Sequence, residues 1–138
     1  MKDLVIVYYS KTNMSKRFLE KVREHLDIKC YRITESANFV CHAPFVMVTP
    51  TYDYGRVPEQ VTQFLEEETN RENMQAVVSS GNKNWGAENF ARAGKIISEQ
   101  HNVPWLHKLE MQGNSSDVKK VTDSIKELKK ELKERADE

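Results

Sequence analysis

A parallel β-sheet covered by helices on both faces is the fold that this 138-residue chain predicts, and three observations predict it. Short apolar runs alternate with stretches whose apolar residues recur every three or four positions, the order expected of an α/β protein. Several of those runs are continuously apolar, as strands buried on both faces require. The runs also break off into polar loops shortly before a helical pattern begins, which places the loops together at one edge of the sheet.

The elements follow in order. Residues 4–9 (LVIVYY) read as a buried strand. Residues 15–26 read as a helix with Phe18, Leu19, Val22 and Leu26 on one face. Residues 28–33 (IKCYRI) alternate apolar and polar, which suits an edge strand. Residues 34–43 show no pattern and are expected to be irregular. FVMVT at 45–49 is a second continuous run. Pro58 then sits where a first helical turn tolerates proline, ahead of a helix that groups Val57, Val61, Phe64 and Leu65. Ala76, Val77 and Val78 mark the centre of another buried strand. After the loop SSGNKNWGAENF comes a helix with Phe90, Ala93, Gly94 and Ile97 on one face; the small Ala93 and Gly94 let it lie close to a sheet. Pro104 opens a last strand at 105–111. Val118, Val121, Ile125, Leu128 and Leu132 mark a long terminal helix. Its stripe is too short for a coiled coil and predicts packing on the sheet. Glu131 and Arg135 are spaced for an i,i+4 pair worth a few tenths of a kcal/mol. The order is β-α-β-β-α-β-α-β-α, lacking a helix between the second and third strands, and residues 1–138 read as a single domain.

Composition narrows the function classes. Apolar residues make up 38% and charged residues 30%, which suits a globular protein. Lys plus Arg and Asp plus Glu number 21 each, so the chain lacks the basic excess of a nucleic-acid binder. No apolar run is long enough to span a membrane. The two cysteines, Cys30 and Cys41, make no C-x-x-C and no metal spacing with histidine, and predict reduced thiols in a cytoplasmic protein. The four histidines are scattered and suggest no triad.

Ligands in such folds bind beyond the carboxyl ends of the strands, near the switch point. Three loops lie there. The first is Ser10-Lys11-Thr12-Asn13-Met14-Ser15, with hydroxyl groups and the start of a helix, whose amides and dipole favour an anion. It has no glycine, but Asn13 tolerates a left-handed turn better than other residues. The same residues also make an ordinary helix N-cap. The second loop, Thr49-Pro50-Thr51-Tyr52-Asp53-Tyr54-Gly55-Arg56, offers two aromatic rings to a planar ligand; it also reads as a plain surface loop. The third, Ser79-Ser80-Gly81-Asn82-Lys83-Asn84-Trp85-Gly86, offers amides to the edge of a heterocycle and Trp85 to its face; a core tryptophan is the competing reading. Taken together, the loops suit a planar heterocycle on a chain that ends in one phosphate.

The stretches SKTNMSKRF, FVMVTPTYDYGRVPEQVTQFL, SGNKNWGAENFARAGKII and VPWLHKLEMQGNSSDV run in order over nearly the whole chain. With them the chain resembles the NrdI family, the flavodoxin-like proteins that accompany class Ib ribonucleotide reductase. The resemblance implies a flavodoxin-like three-layer sandwich with a five-stranded parallel sheet in the order 2-1-3-4-5, and FMN as cofactor. It implies that the FMN phosphate is held by Ser10, Lys11, Thr12, Asn13, Met14 and Ser15. The ring is then expected between Thr49, Pro50, Thr51, Tyr52, Tyr54 and Gly55 on one side and Ser80, Gly81, Asn82, Asn84, Trp85 and Gly86 on the other. It further implies an activase-like partner of the NrdF small subunit: reduced FMN reacts with dioxygen and supplies an oxidant, superoxide, for assembly of the dimanganese-tyrosyl radical cofactor, with a separate flavin-reducing partner. The family loop reads S-K-T-G-N-T/V, whereas here Asn13 and Met14 replace its glycine and asparagine, and Met14 brings only its backbone N–H.

No acid, base or nucleophile is required of the protein, because a flavin carries the redox chemistry. A general flavodoxin-type electron carrier for other reductases or oxygenases is the alternative, and partner binding separates the two. A receiver-type signalling module needs acidic residues after the first strand, where Ser10 and Lys11 stand. A dinucleotide-binding dehydrogenase needs G-x-G-x-x-G; Glu35 sits at the ribose-contact distance, but the glycines are absent. Neither a C-x5-R phosphatase loop nor the G-K-[ST] of a P-loop is present.

Overall fold

Continuous β-branched runs have no solvent-facing side, so they pair with one another and need cover above and below. In the computed structural model, which describes residues 2–35 and 39–137, five strands form one sheet. They are β1 (Val5–Tyr9), β2 (Cys30–Ile33), β3 (Phe45–Thr49), β4 (Met74–Gly81) and β5 (Trp105–Glu110). Their order is β2-β1-β3-β4-β5 and every neighbouring pair is parallel, the predicted flavodoxin-like arrangement. The helices are α1 (Met14–Arg23), α2 (Glu59–Phe64), α3 (Glu68–Asn73), α4 (Arg92–His101) and α5 (Ser115–Ala136).

Side-chain alternation along β1 divides the core into two layers. Ile6 and Tyr8 join Phe18, Val22, Val121 and Ile125 on the α1/α5 face. Val5 and Val7 join Met47, Val61, Phe64 and Ile97 on the α2/α4 face. The terminal helix therefore lies on the sheet beside α1, as its short stripe predicts. Each fully buried aliphatic side chain contributes about 1.5–3 kcal/mol, so Val121 and Ile125 alone account for much of its docking. The Glu131–Arg135 pair is present at 3.7 Å, with both side chains largely exposed.

Several boundaries differ from the sequence reading. Helix α1 starts at Met14 and ends at Arg23, and Leu26 beyond it still packs on the core. Strand β2 begins at Cys30, although Ile28 before it is buried. Strand β5 stops at Glu110 because Met111 takes a left-handed φ of 54°. Helix α3 has no counterpart in the sequence reading, because ETNREN carries no apolar stripe. A buried amide holds it instead: Asn70 Oδ1 accepts from Cys41 N–H (2.7 Å), and Nδ2 donates to the Phe64 carbonyl (2.9 Å). The irregular stretch expected at 34–43 lies partly outside the described residues, and its described part contains no helix.

Register fixes where the loops emerge. Thr49 pairs with Ser79, and Gly81 pairs with Glu110. Consequently the chain leaves β1, β3 and β4 at one edge, beside the β1/β3 switch point.

Candidate functional site

The loop after β1 turns sharply into α1. Asn13 makes that turn with φ 64° and ψ 8°, the left-handed conformation that asparagine tolerates. The first helical bond runs from Arg17 N–H to the Asn13 carbonyl (2.9 Å), so the amides before it have no acceptor inside the helix. Lys16 N–H donates to Ser10 Oγ at 3.4 Å. Ser10 and Ser15 are buried, whereas Lys11 and Thr12 are exposed. A residue that sequence reasoning missed backs this loop: Arg32 of β2 donates through Nη2 to the Ser10 carbonyl and to Asn13 Oδ1. Its signal was its place in the alternating edge strand, in register with Tyr8.

The loop after β3 is a miniature hairpin. Tyr52 and Arg56 exchange backbone hydrogen bonds, at 2.9 Å from Tyr52 N–H and 2.6 Å from Arg56 N–H. Between them Asp53, Tyr54 and Gly55 all take positive φ (45°, 59° and 120°). Two consecutive non-glycine residues held there cost backbone energy of order 1–3 kcal/mol each. A Cβ on Gly55 would also meet Arg92 Cδ at 2.9 Å. Thr51 Oγ1 accepts from Ala93 N–H (3.1 Å), which ties the hairpin to α4.

The loop after β4 contains a short 3-10 turn at Lys83–Trp85, capped by Asn82 Oδ1 accepting from Asn84 N–H (2.9 Å). Gly81 is dictated by close packing: a Cβ there would lie 2.6 Å from the Ala91 amide nitrogen. Gly86, at φ 88°, has open space around it. Lys83 is exposed, with Nζ 5.6 Å from the centre of the Phe90 ring.

These loops enclose a cleft of about 260 Å³. The first lines it with Ser10, Lys11, Thr12, Met14 and Ser15, the second with Pro50, Thr51 and Tyr52, the third with Ser80, Gly81, Asn82 and Trp85. Met111, beyond β5, completes the wall and was not foreseen, although the rule that directs attention to strand ends applies to β5 as well. The other expected site residues do not line the cleft. Asn13 supplies the turn beneath it, and the buried Thr49 hydroxyl donates to the Pro50 carbonyl (2.9 Å). Gly55 faces Arg92, while Asn84 and Gly86 lie exposed on the outer turn. Tyr54, 68% exposed, leans on Trp85 with ring centres 5.5 Å apart, so the outer ends of two loops touch.

The cleft wall holds a buried hydroxyl without a partner among the described residues, that of Tyr52. Burial pushes this phenol's pKa up, against the opposing influence of Tyr9 and the Lys11 backbone beside it. Tyr9, edge-on to Tyr52 at 6.2 Å, donates its own hydroxyl to Glu35 Oε1 at 2.5 Å. Burial and that bond raise the Tyr9 pKa, while hydrogen bonds from Tyr9 and Gln60 hold Glu35 below the usual carboxylate range. Glu35 thus braces the cleft wall through Tyr9 and does not itself line the cleft. Among the described residues, no histidine, cysteine or carboxylate lines the cleft. The arrangement offers anion donors at a helix N-terminus and aromatic surface beside them, and suits binding better than acid–base chemistry.

A family model described as NrdI Flavodoxin like matches residues 6–123. Protein NrdI of Macrococcus caseolyticus (strain JCSC5402) is 39% identical over 125 residues, covering 91% of each chain. This chain belongs to the NrdI family. Solved structures place the NrdI chain in the flavodoxin-like fold. Oxidised flavodoxin 2 from Bacillus cereus aligns with a TM-score of 0.63 at 18% identity, over 88% of this chain and 94% of the other. A variant Fusobacterium nucleatum flavodoxin bound to flavin mononucleotide aligns with a TM-score of 0.65 at 19% identity, over 95% and 97%. At such identities the likeness speaks for the fold. Among the described residues, no helix of this NrdI-family member is long and apolar enough to cross a membrane.

Proposed function

We propose that this protein binds FMN in the three-loop cleft and acts as an accessory activase of class Ib ribonucleotide reductase. Membership of the NrdI family supports the association with the reductase. The observation that carries the cofactor reading is the cleft itself, where the hydroxyls of Ser10, Thr12 and Ser15 and the start of α1 lie beside Tyr52 and Trp85. Anion donors at a helix N-terminus next to aromatic surface match a planar ring on a chain that ends in a phosphate.

The residues present fit FMN. Ser10, Thr12, Ser15 and the first amides of α1 would hold the phosphate, with Lys11 adding positive charge. Trp85 and Tyr52 would pack against the ring system, and Asn82 and the Gly81 backbone would meet its polar edge. FMN bound there would supply the redox chemistry, one-electron reduction of dioxygen to superoxide. The chain holds the cofactor, limits water around it and presents it to the NrdF-type subunit, whose dimanganese-tyrosyl radical cofactor the oxidant assembles. Electrons come from a separate flavin-reducing partner.

Titration with FMN tests the first half of the reading. A one-to-one complex with a protein-perturbed flavin spectrum is expected, weakened by Thr12→Val. The second half is read by tyrosyl radical formation in manganese-loaded NrdF under oxygen, which should depend on the reduced FMN-loaded protein. FMN binding without radical formation would leave a general electron carrier, and absence of FMN binding would end the proposal.

A further inference from the structure

The loop between β1 and α1 contains no glycine, and Asn13 and Met14 stand where it turns into the helix. The left-handed turn falls at Asn13 (φ 64°). What holds it comes from another strand. Arg32 Nη2 bonds the Ser10 carbonyl at the start of the loop and Asn13 Oδ1 (3.2 Å) at its end. One planar guanidinium thereby clasps both ends of the segment that lines one end of the cleft, a task suited to its rigid fork of donors. Arg32 is half-buried and, among the described residues, makes no ion pair with a carboxylate. Its charge therefore stands behind the loop uncancelled, and it does not line the cleft itself.

We infer that Arg32 is a positioning residue that gives this protein its preference for the phosphorylated flavin, by clasping the Ser10–Asn13 loop in its anion-binding shape from the neighbouring strand. This rests on the cofactor reading above. A glycine would reach that shape through its own backbone freedom. Here the asparagine side chain serves as a handle for Arg32, and the amide donors are held ready without help from Met14. The clasp acts on the phosphate end of the cleft only, so riboflavin, which lacks the phosphate, should not sense it.

The experiment measures dissociation constants for FMN and for riboflavin by flavin fluorescence, in the wild-type protein and in Arg32→Met, Arg32→Lys and Asn13→Gly. Amide hydrogen exchange of residues 11–15 is followed in the flavin-free proteins. Arg32→Met is expected to weaken FMN about tenfold or more, the loss typical of a hydrogen bond from a charged group. Riboflavin affinity should stay unchanged and loop exchange should speed up. Arg32→Lys keeps the charge without the fork, and should retain part of the FMN preference while losing the loop protection. Asn13→Gly should lower the preference on its own and add little to Arg32→Met, because Arg32→Met already removes the contact that Asn13→Gly loses. Equal losses for both flavins, or an unchanged preference in Arg32→Met, would overturn the inference while leaving FMN binding intact. Should Arg32→Met not fold, an unchanged preference in Arg32→Lys and Asn13→Gly overturns it equally. A wild-type protein that binds neither flavin would overturn the cofactor reading, and this inference with it.

Discussion

A single hydroxyl, that of Tyr52, gives the proposed site a test at the scale of one residue. Tyr52 buries its oxygen in the cleft wall without a partner among the described residues. Selection for the folded state alone favours phenylalanine there. Tyr52→Phe is therefore expected to stabilise the flavin-free protein by about 1 kcal/mol, seen as a higher urea midpoint, and to weaken FMN binding. A lower midpoint would mean that the hydroxyl is already satisfied. The strained hairpin nearby has the same character, since Asp53 and Tyr54 occupy conformations that non-glycine residues avoid. Residue-scale chemistry was partly legible beforehand. Asn13 announced its turn through its known tolerance of positive φ. Arg32 did not, because its role depends on β2 lying beside β1, a long-range pairing that local pattern does not contain.

Two elements depend on contacts that permit little change. Helix α4 rests against β4 and β5 at Gly94, where a Cβ would stand 2.2 Å from Ser79 Oγ and 2.2 Å from Trp105 Nε1. Those atoms form a chain in which Trp105 donates to Ser79 (2.9 Å) and Ser79 donates to the Ala91 carbonyl (2.7 Å). In a free helix, alanine would be favoured over glycine by about 1 kcal/mol. Overpacking typically costs about 1–3 kcal/mol, and here it also breaks buried hydrogen bonds. Gly94→Ala should thus lower stability by about 1–2 kcal/mol in equilibrium unfolding. Helix α5 is secured at its start by one carboxylate. Asp117 Oδ2 accepts from Asn114 N–H (2.9 Å), completing a capping box, and Oδ1 meets His107 Nε2 of β5 at 2.7 Å. Burial raises the Asp117 pKa, but the bonds from His107 and Asn114 outweigh it and hold the group below its usual 3.8. A depressed folded pKa adds stability that is present above the unfolded value and lost as pH falls through the folded one. Asp117→Asn should accordingly destabilise the protein at neutral pH and flatten the fall in its stability below about pH 4, as thermal unfolding across pH would record. Elements were legible where burial imposes a period, as with the stripes of α1, α4 and α5. Helix α3 escaped because one internal amide, Asn70, anchors it, and a single polar residue leaves no period to detect.

Across the whole molecule, charge is balanced: 21 basic and 21 acidic residues leave a formal net charge of zero. A strongly acidic protein opposes the negative charge of a fully reduced flavin, and a neutral one opposes it less. Stepwise potentiometry of the FMN-loaded protein should therefore place the second one-electron step at a higher potential than in a strongly acidic flavodoxin. An equally low second potential would show that local groups, and not overall charge, control the step. The sheet order itself was legible through family resemblance. Alternation of strand and helix alone indicates a parallel sheet, but does not say which strand lies at the edge.

The contact between Tyr54 and Trp85 joins the tips of two loops that belong to different strands. Indole emission is sensitive to a neighbouring phenol, and the chain has only two tryptophans. The other, Trp105, donates to Ser79 and does not line the cleft. Parting of the loop tips would consequently be written into the light that one indole returns, and the opening of the site becomes something that can be timed in the intact protein without attaching a dye.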